Sequence, residues 1–101
     1  MDIEDWRRRI DEIDRELVKL LNARSQAAVE IGRLKRQRGL PLYQPEREAE
    51  ILAAVERLNG GPLDNKALRR LFERILDEAR RVEHQGYRRP DEPGSRGKKS
   101  E

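Results

Sequence analysis

The chain has 101 residues, of which 43% are charged and 35% hydrophobic, with 23 basic against 20 acidic side chains and a formal charge of +3. It carries no cysteine and one histidine, which excludes disulfides, thiol catalysis, cysteine-bound metal and any histidine cluster. No signal peptide and no apolar run near about 18 residues is visible, so a single cytoplasmic domain outside the membrane is the expectation.

So much charge would suit a disordered chain, but the apolar residues are periodic, which reads as helices with thin apolar stripes. Residues 3–37 contain no proline and only one glycine, Gly32. Ile3, Trp6, Ile10, Ile13, Leu17, Leu20, Ala27, Ile31 and Leu34 recur at steps of three and four, broken by one step of seven. That is the seam of a helix packed along its whole length, and the skipped position is Arg24. A charge on a seam must be paired or must face something anionic, because burying it alone is costly. Such a helix would be roughly 50 Å long, too long for a compact monomer of this size to wrap. A second copy of the chain is expected to cover it.

Gly39 and Pro41 should end this helix near residues 36–38. Pro45 suits the first turn of a second helix, with Glu46 and Glu48 at its positive end and Ile51, Leu52, Val55 and Leu58 on its apolar face. Asn59-Gly60-Gly61-Pro62 is a strong break. Asp64 is a natural cap for a third helix, striped by Leu68, Leu71, Phe72, Ile75, Leu76, Ala79 and Val82 and fading near residues 84–86. Placed end to end, the two shorter helices would together span roughly 50 Å and could cover one flank of the first. The expected fold is all-α, with one domain over residues 1–86. Residues 87–101, with five basic and three acidic side chains, read as a disordered basic tail. The remainder is almost neutral and has no basic face with aromatics, so nucleic-acid binding is disfavoured.

Arg24 and Lys35 are eleven residues apart on the first helix, which points them within about 20° of each other and roughly 16 Å apart along the axis. Long side chains reaching inward could share one pocket. Arg47 lies in the first turn of the second helix, where backbone N–H groups also favour an anion. Arg7 lies about 25 Å from Arg24 along the axis, so it can reach Arg24's pocket only from an antiparallel partner chain. Glu83 falls on the apolar side of the third helix, where a carboxyl is either salt-bridged to an arginine or held neutral by burial. In a chain this rich in arginine and glutamate, Arg7, Lys35 and Arg47 taken singly read as solvated residues or surface pairs. Trp6 and Tyr43 read as packing residues, and Asp14 as a surface acid.

Four separated motifs occur in order: R-x-x-I-D-x-I-D-x-E-L-x-x-L-L-x-x-R from Arg7 to Arg24, V-E-I-G-R-L-K from Val29 to Lys35, P-x-x-x-P-E-R-E from Pro41 to Glu48, and L-F-x-x-I-L-x-E from Leu71 to Glu78. Together they resemble the all-helical chorismate mutases of the AroQ class. The resemblance covers about residues 3–85. It implies three helices per chain in an intertwined homodimer, with each active site drawing an arginine from the other subunit. The implied reaction is the Claisen rearrangement of chorismate to prephenate, in the biosynthesis of phenylalanine and tyrosine. It is unimolecular and needs no nucleophile, metal or cofactor. Its substrate is a dicarboxylate, which suits a site of arginine and lysine. Catalysis would come from holding the side chain over the ring and stabilising charge on the breaking ether oxygen.

By resemblance, Arg24 binds a substrate carboxylate and Arg7 is donated across the dimer. Lys35 resembles the lysine that donates to the ether oxygen and a carboxylate, and Glu48 the glutamate that binds the ring hydroxyl. Arg47 resembles an arginine near the substrate. Glu83 takes the place of a second ether-oxygen donor, which is glutamine in some members. Only a protonated carboxyl can donate, so activity should fall as Glu83 ionises, and Glu83→Gln should flatten that dependence. Gln44 stands where many members have an aspartate near the hydroxyl, and Ala79 where some have a serine. An isochorismate pyruvate-lyase of the same fold is an alternative. So is a helical regulatory partner of a larger shikimate-pathway enzyme.

Overall fold

The computed structural model describes residues 1–88, which form three helices: α1 (Ile3–Arg38), α2 (Pro45–Leu58) and α3 (Asn65–Tyr87). Among the described residues there is no strand. Most of the predicted tail therefore lies outside them. The predicted boundary before residue 87 cuts into α3, which keeps its helical turn through Tyr87.

The ends of the helices follow from local chemistry. Asp2 caps α1 through a reciprocal box, accepting from the Asp5 N–H at 2.9 Å while Asp5 accepts from the Asp2 N–H at 3.1 Å. At the other end Gly39 adopts φ 68°, which a side chain would resist. Its N–H reaches the Arg36 carbonyl, and the Leu40 N–H reaches the Lys35 carbonyl at 2.8 Å, the crossed pair that closes a helix. Pro45 opens α2, and its N-cap, Gln44, makes no side-chain cap bond. Asp64 caps α3, accepting from the Ala67 N–H at 2.8 Å. Asn59 braces the intervening turn by donating to the Leu63 carbonyl and the Asn65 side chain.

α3 lies along the C-terminal half of α1, with Ile75 and Glu78 beside Leu21 and Arg24, and with Tyr87 donating to the Leu40 carbonyl at 3.4 Å. Two glycines let the backbones touch. A Cβ on Gly32 would collide with the Glu83 carbonyl, whose carbon would lie 2.8 Å away. A Cβ on Gly86 would collide in the same way with the Val29 carbonyl. The crossing therefore sets the register between Lys35 on α1 and Glu83 on α3.

The expectation that α2 and α3 would lie end to end over α1 is corrected. α2 packs on α3, with no comparable backbone approach to α1. The glycine- and proline-bearing turn folds α2 back on its neighbour instead of extending the line. The result is an open shape of 55 × 34 × 16 Å with a radius of gyration of 17.4 Å. A compact domain of this length would have a radius of about 13 Å.

The core is correspondingly thin. Ala28 on α1, Leu52 on α2 and Leu76 on α3 are the buried apolar residues among those described. On the N-terminal half of α1, Trp6, Ile10, Ile13 and Leu17 remain about half exposed, as a seam without its cover would be.

Candidate active site

Lys35 is the one buried charged residue among those described, at 9% exposure. Its position four residues before the Gly39 cap brings the returning connection back over it. The Lys35 ammonium donates to the Leu42 carbonyl at 2.6 Å and to Glu83 Oε1 at 2.8 Å. Glu83 is thus salt-bridged as one reading of its seam position required, but its partner is Lys35 and not an arginine. The reason is the Gly32 crossing, which brings Glu83 one turn from Lys35.

This pair closes one end of a cleft of about 410 Å³, within the range of small-ligand sites. α1 supplies Arg24 and Lys35, the connection Leu42 and Gln44, α2 Arg47 and Glu48, and α3 Ala79, Arg80 and Glu83. Ala28, Ile31, Ile51 and Leu76 give it an apolar lining. Six of the seven residues expected at the site therefore meet in one cavity: Arg24, Lys35, Gln44, Arg47, Glu48 and Glu83.

Arg7 does not join them. It pairs with Glu4 at 2.9 Å on the surface of α1, with 68% of its side chain exposed. It is separated from Arg24 by nearly five turns of one helix, about 25 Å.

Arg24 is half-buried on the seam and has no ion-pair partner among the described residues. Arg47 pairs only with Glu50, at 3.2 Å on the exposed side of α2. Glu48 is engaged by Arg80, which the sequence reading missed. Arg80 Nη1 donates to both Glu48 oxygens, at 2.7 and 2.6 Å, and Nη2 binds Asp77. The Arg80 guanidinium also lies 5.5 Å from the centre of the Tyr43 ring. The Glu48 hydrogen bond, assisted by the charges of Glu48 and Asp77, raises the Arg80 pKa above its ordinary value. A signal for Arg80 existed: it follows Leu76 by four positions and precedes Glu83 by three, so it shares their helix face.

The lining carries four cations and two carboxylates, a surplus of two positive charges. Lys35 with Glu83 and Arg80 with Glu48 are internally matched. That leaves Arg24, with no ion-pair partner among the described residues, and Arg47, held only by its exposed pair with Glu50, to meet two negative groups. No group of three acidic or histidine side chains among the described residues is placed to hold a metal ion. No described helix is long and apolar enough to cross a membrane.

Among the described residues, fold and cleft together define three helices around a cationic pocket whose size and charge suit a small dianion. Residues 6–84 match the family described as chorismate mutase type II, and the chain belongs to that family. It is 38% identical to a chorismate mutase of Thermus thermophilus, with a TM-score of 0.80 over 81% of this chain and 93% of that one. A chorismate mutase of Helicobacter pylori, solved in complex with prephenate, has a TM-score of 0.75 at 28% identity, over 83% of this chain and 91% of that one. The bifunctional chorismate mutase/prephenate dehydratase of Neisseria gonorrhoeae is 43% identical over 77 residues, 76% of this chain. The chain spans about a fifth of that relative's length, since the match covers 21% of it.

Proposed function

We propose that this chain converts chorismate to prephenate, and that residues 1–86 are the catalytic domain. The observation that carries the reading is a cleft where a surplus of two positive charges faces a small apolar-lined volume in a chain of this family. Chorismate is a dicarboxylate, and its rearrangement breaks one C–O bond and forms one C–C bond with no proton gained or lost. The protein has only to hold a reactive conformer and to stabilise the oxygen on which charge develops.

Arg24 binds one carboxylate from α1. Arg47, in the first turn of α2, faces the other side of the cleft at the positive end of that helix. A lysine ammonium has three protons. Leu42 and Glu83 take two from Lys35, and the third is available to the ether oxygen. Glu83 is paired with Lys35 in the resting cleft and supplies the second donor to that oxygen only when it carries a proton. Glu48 accepts from the ring hydroxyl, with Gln44 beside it.

The arrangement is completed by a second copy of the chain. The uncovered seam through Trp6, Ile10, Ile13 and Leu17 is the surface for it, and Arg7 of that copy enters the cleft. A role of this kind implies the cytoplasm. It also implies a prephenate-consuming activity downstream, whether in the same chain or in a separate enzyme.

The test is to mix purified protein with chorismate, follow its loss by absorbance and identify the product. Prephenate formation that collapses in Arg24→Ala supports the reading. Absence of turnover by folded protein refutes it, and pyruvate release from isochorismate would assign the lyase activity instead.

A further inference from the structure

Among the described residues, Arg80 is the only cleft cation whose charge is spent on two carboxylates of its own chain. It ties three segments together: Tyr43 in the connection, Glu48 on α2 and Asp77 one turn back on α3. Arg24, Lys35 and Arg47 line the same cavity as Glu48. A Glu48 released from Arg80 would turn toward these cations and cancel the charge that a dianionic substrate needs. Arg80 Nη1 reaches both Glu48 oxygens, yet each carboxylate oxygen has room for two hydrogen bonds. The held carboxylate therefore keeps an accepting position toward the cleft.

We propose that Arg80 is a positioning residue: it fixes Glu48 as an acceptor for the substrate's ring hydroxyl and keeps it from neutralising the carboxylate-binding arginines. This rests on the mutase reading and deepens it by one specificity determinant. The planar guanidinium matters as much as the charge, because it spans two carboxylates while lying against the Tyr43 ring. Lysine at this position restores the charge but not the two-oxygen grip.

The test is a double-mutant cycle on kcat/KM for chorismate. Arg80→Leu is expected to lower it by about 10-fold or more, the scale of a hydrogen bond to a charged group, and Arg80→Lys to recover part of that loss. In a Glu48→Gln background Arg80→Leu should cost no more than about twofold, because the residue it positions no longer carries the charge. On a chorismate analogue without the ring hydroxyl, Arg80→Leu should cost less than it does on chorismate, because only the neutralisation of the arginines remains. A purely structural role would instead impair both backgrounds and both substrates equally. Should Arg80→Leu fail to fold by circular dichroism, Arg80→Gln is read in its place. Wild-type protein inactive on chorismate refutes the mutase reading and this inference with it. An active wild type with an unchanged Arg80 variant, or with equal losses in the two backgrounds, refutes the inference alone.

Discussion

Gly32→Ala tests whether the α1–α3 crossing sets the chemistry. Helix propensity alone favours alanine over glycine by about 1 kcal/mol, so a change read only from the helix should stabilise the protein. The structure gives the opposite sign. The new Cβ would overlap the Glu83 carbonyl oxygen and lie 2.8 Å from its carbon and 3.0 Å from its Cα. These are backbone atoms inside a helix and cannot rotate away. Relief requires the helices to separate by about 1 Å, and overpacking of this kind costs about 1–3 kcal/mol. The same separation would stretch the 2.8 Å Lys35–Glu83 contact beyond hydrogen-bond range, because both residues lie within one turn of the crossing. A misplacement of about 1 Å in a catalytic arrangement can cost about 100-fold in rate. Thermal melting and kcat/KM for chorismate should therefore fall together. Gly39→Ala is the control: its strain is local, nothing lies within 4 Å of its added Cβ, and its kcat should hold while its melting temperature falls. Wild-type melting and turnover in Gly32→Ala would refute the reasoning.

Glu83→Gln should keep turnover, since an amide N–H can donate to the ether oxygen, whereas Glu83→Ala should lower kcat by about 100-fold; equal losses in the two variants would remove Glu83 from the donor role. Gln44→Asp should raise the melting temperature by about 4 °C, since Gln44 makes no side-chain cap bond and a cap contributes about 1 kcal/mol. The same substitution puts a negative charge in the cleft and should raise KM for a dianion. Truncation after Arg88 should leave kcat/KM within about twofold, because every described cleft residue precedes that point; a larger loss would bring the C-terminal residues into the site.

The helices were legible because their boundaries are written locally. Asp2, Gly39, Pro45 and Asp64 each satisfy or remove a particular backbone group, and a single chain shows that plainly. The cleft was legible in part, since Arg24 interrupts an apolar seam and Lys35 follows it on the same helix face. The placement of α2 was not, because it depends on how the turn through residues 59–64 folds back, and the periodicity of α2 does not record which neighbour its face meets. The Lys35–Glu83 pair joins residues 48 positions apart through a crossing permitted by two glycines, and glycine leaves no apolar signature. Arg80 was hidden by abundance: in a chain with 23 basic residues, one more arginine on α3 reads as a solvated partner for its neighbours.

The most direct measurement mixes two inactive variants, Arg7→Ala and Arg24→Ala, after joint unfolding and refolding, and assays prephenate formation from chorismate. If each site takes Arg24 from one chain and Arg7 from another, a mixed dimer has one wild-type site and one doubly altered site. Random pairing should then restore about a quarter of wild-type activity, with no contact new to either parent. Activity no higher than that of the two parents, in protein shown to have exchanged chains, would contradict a site shared between two copies.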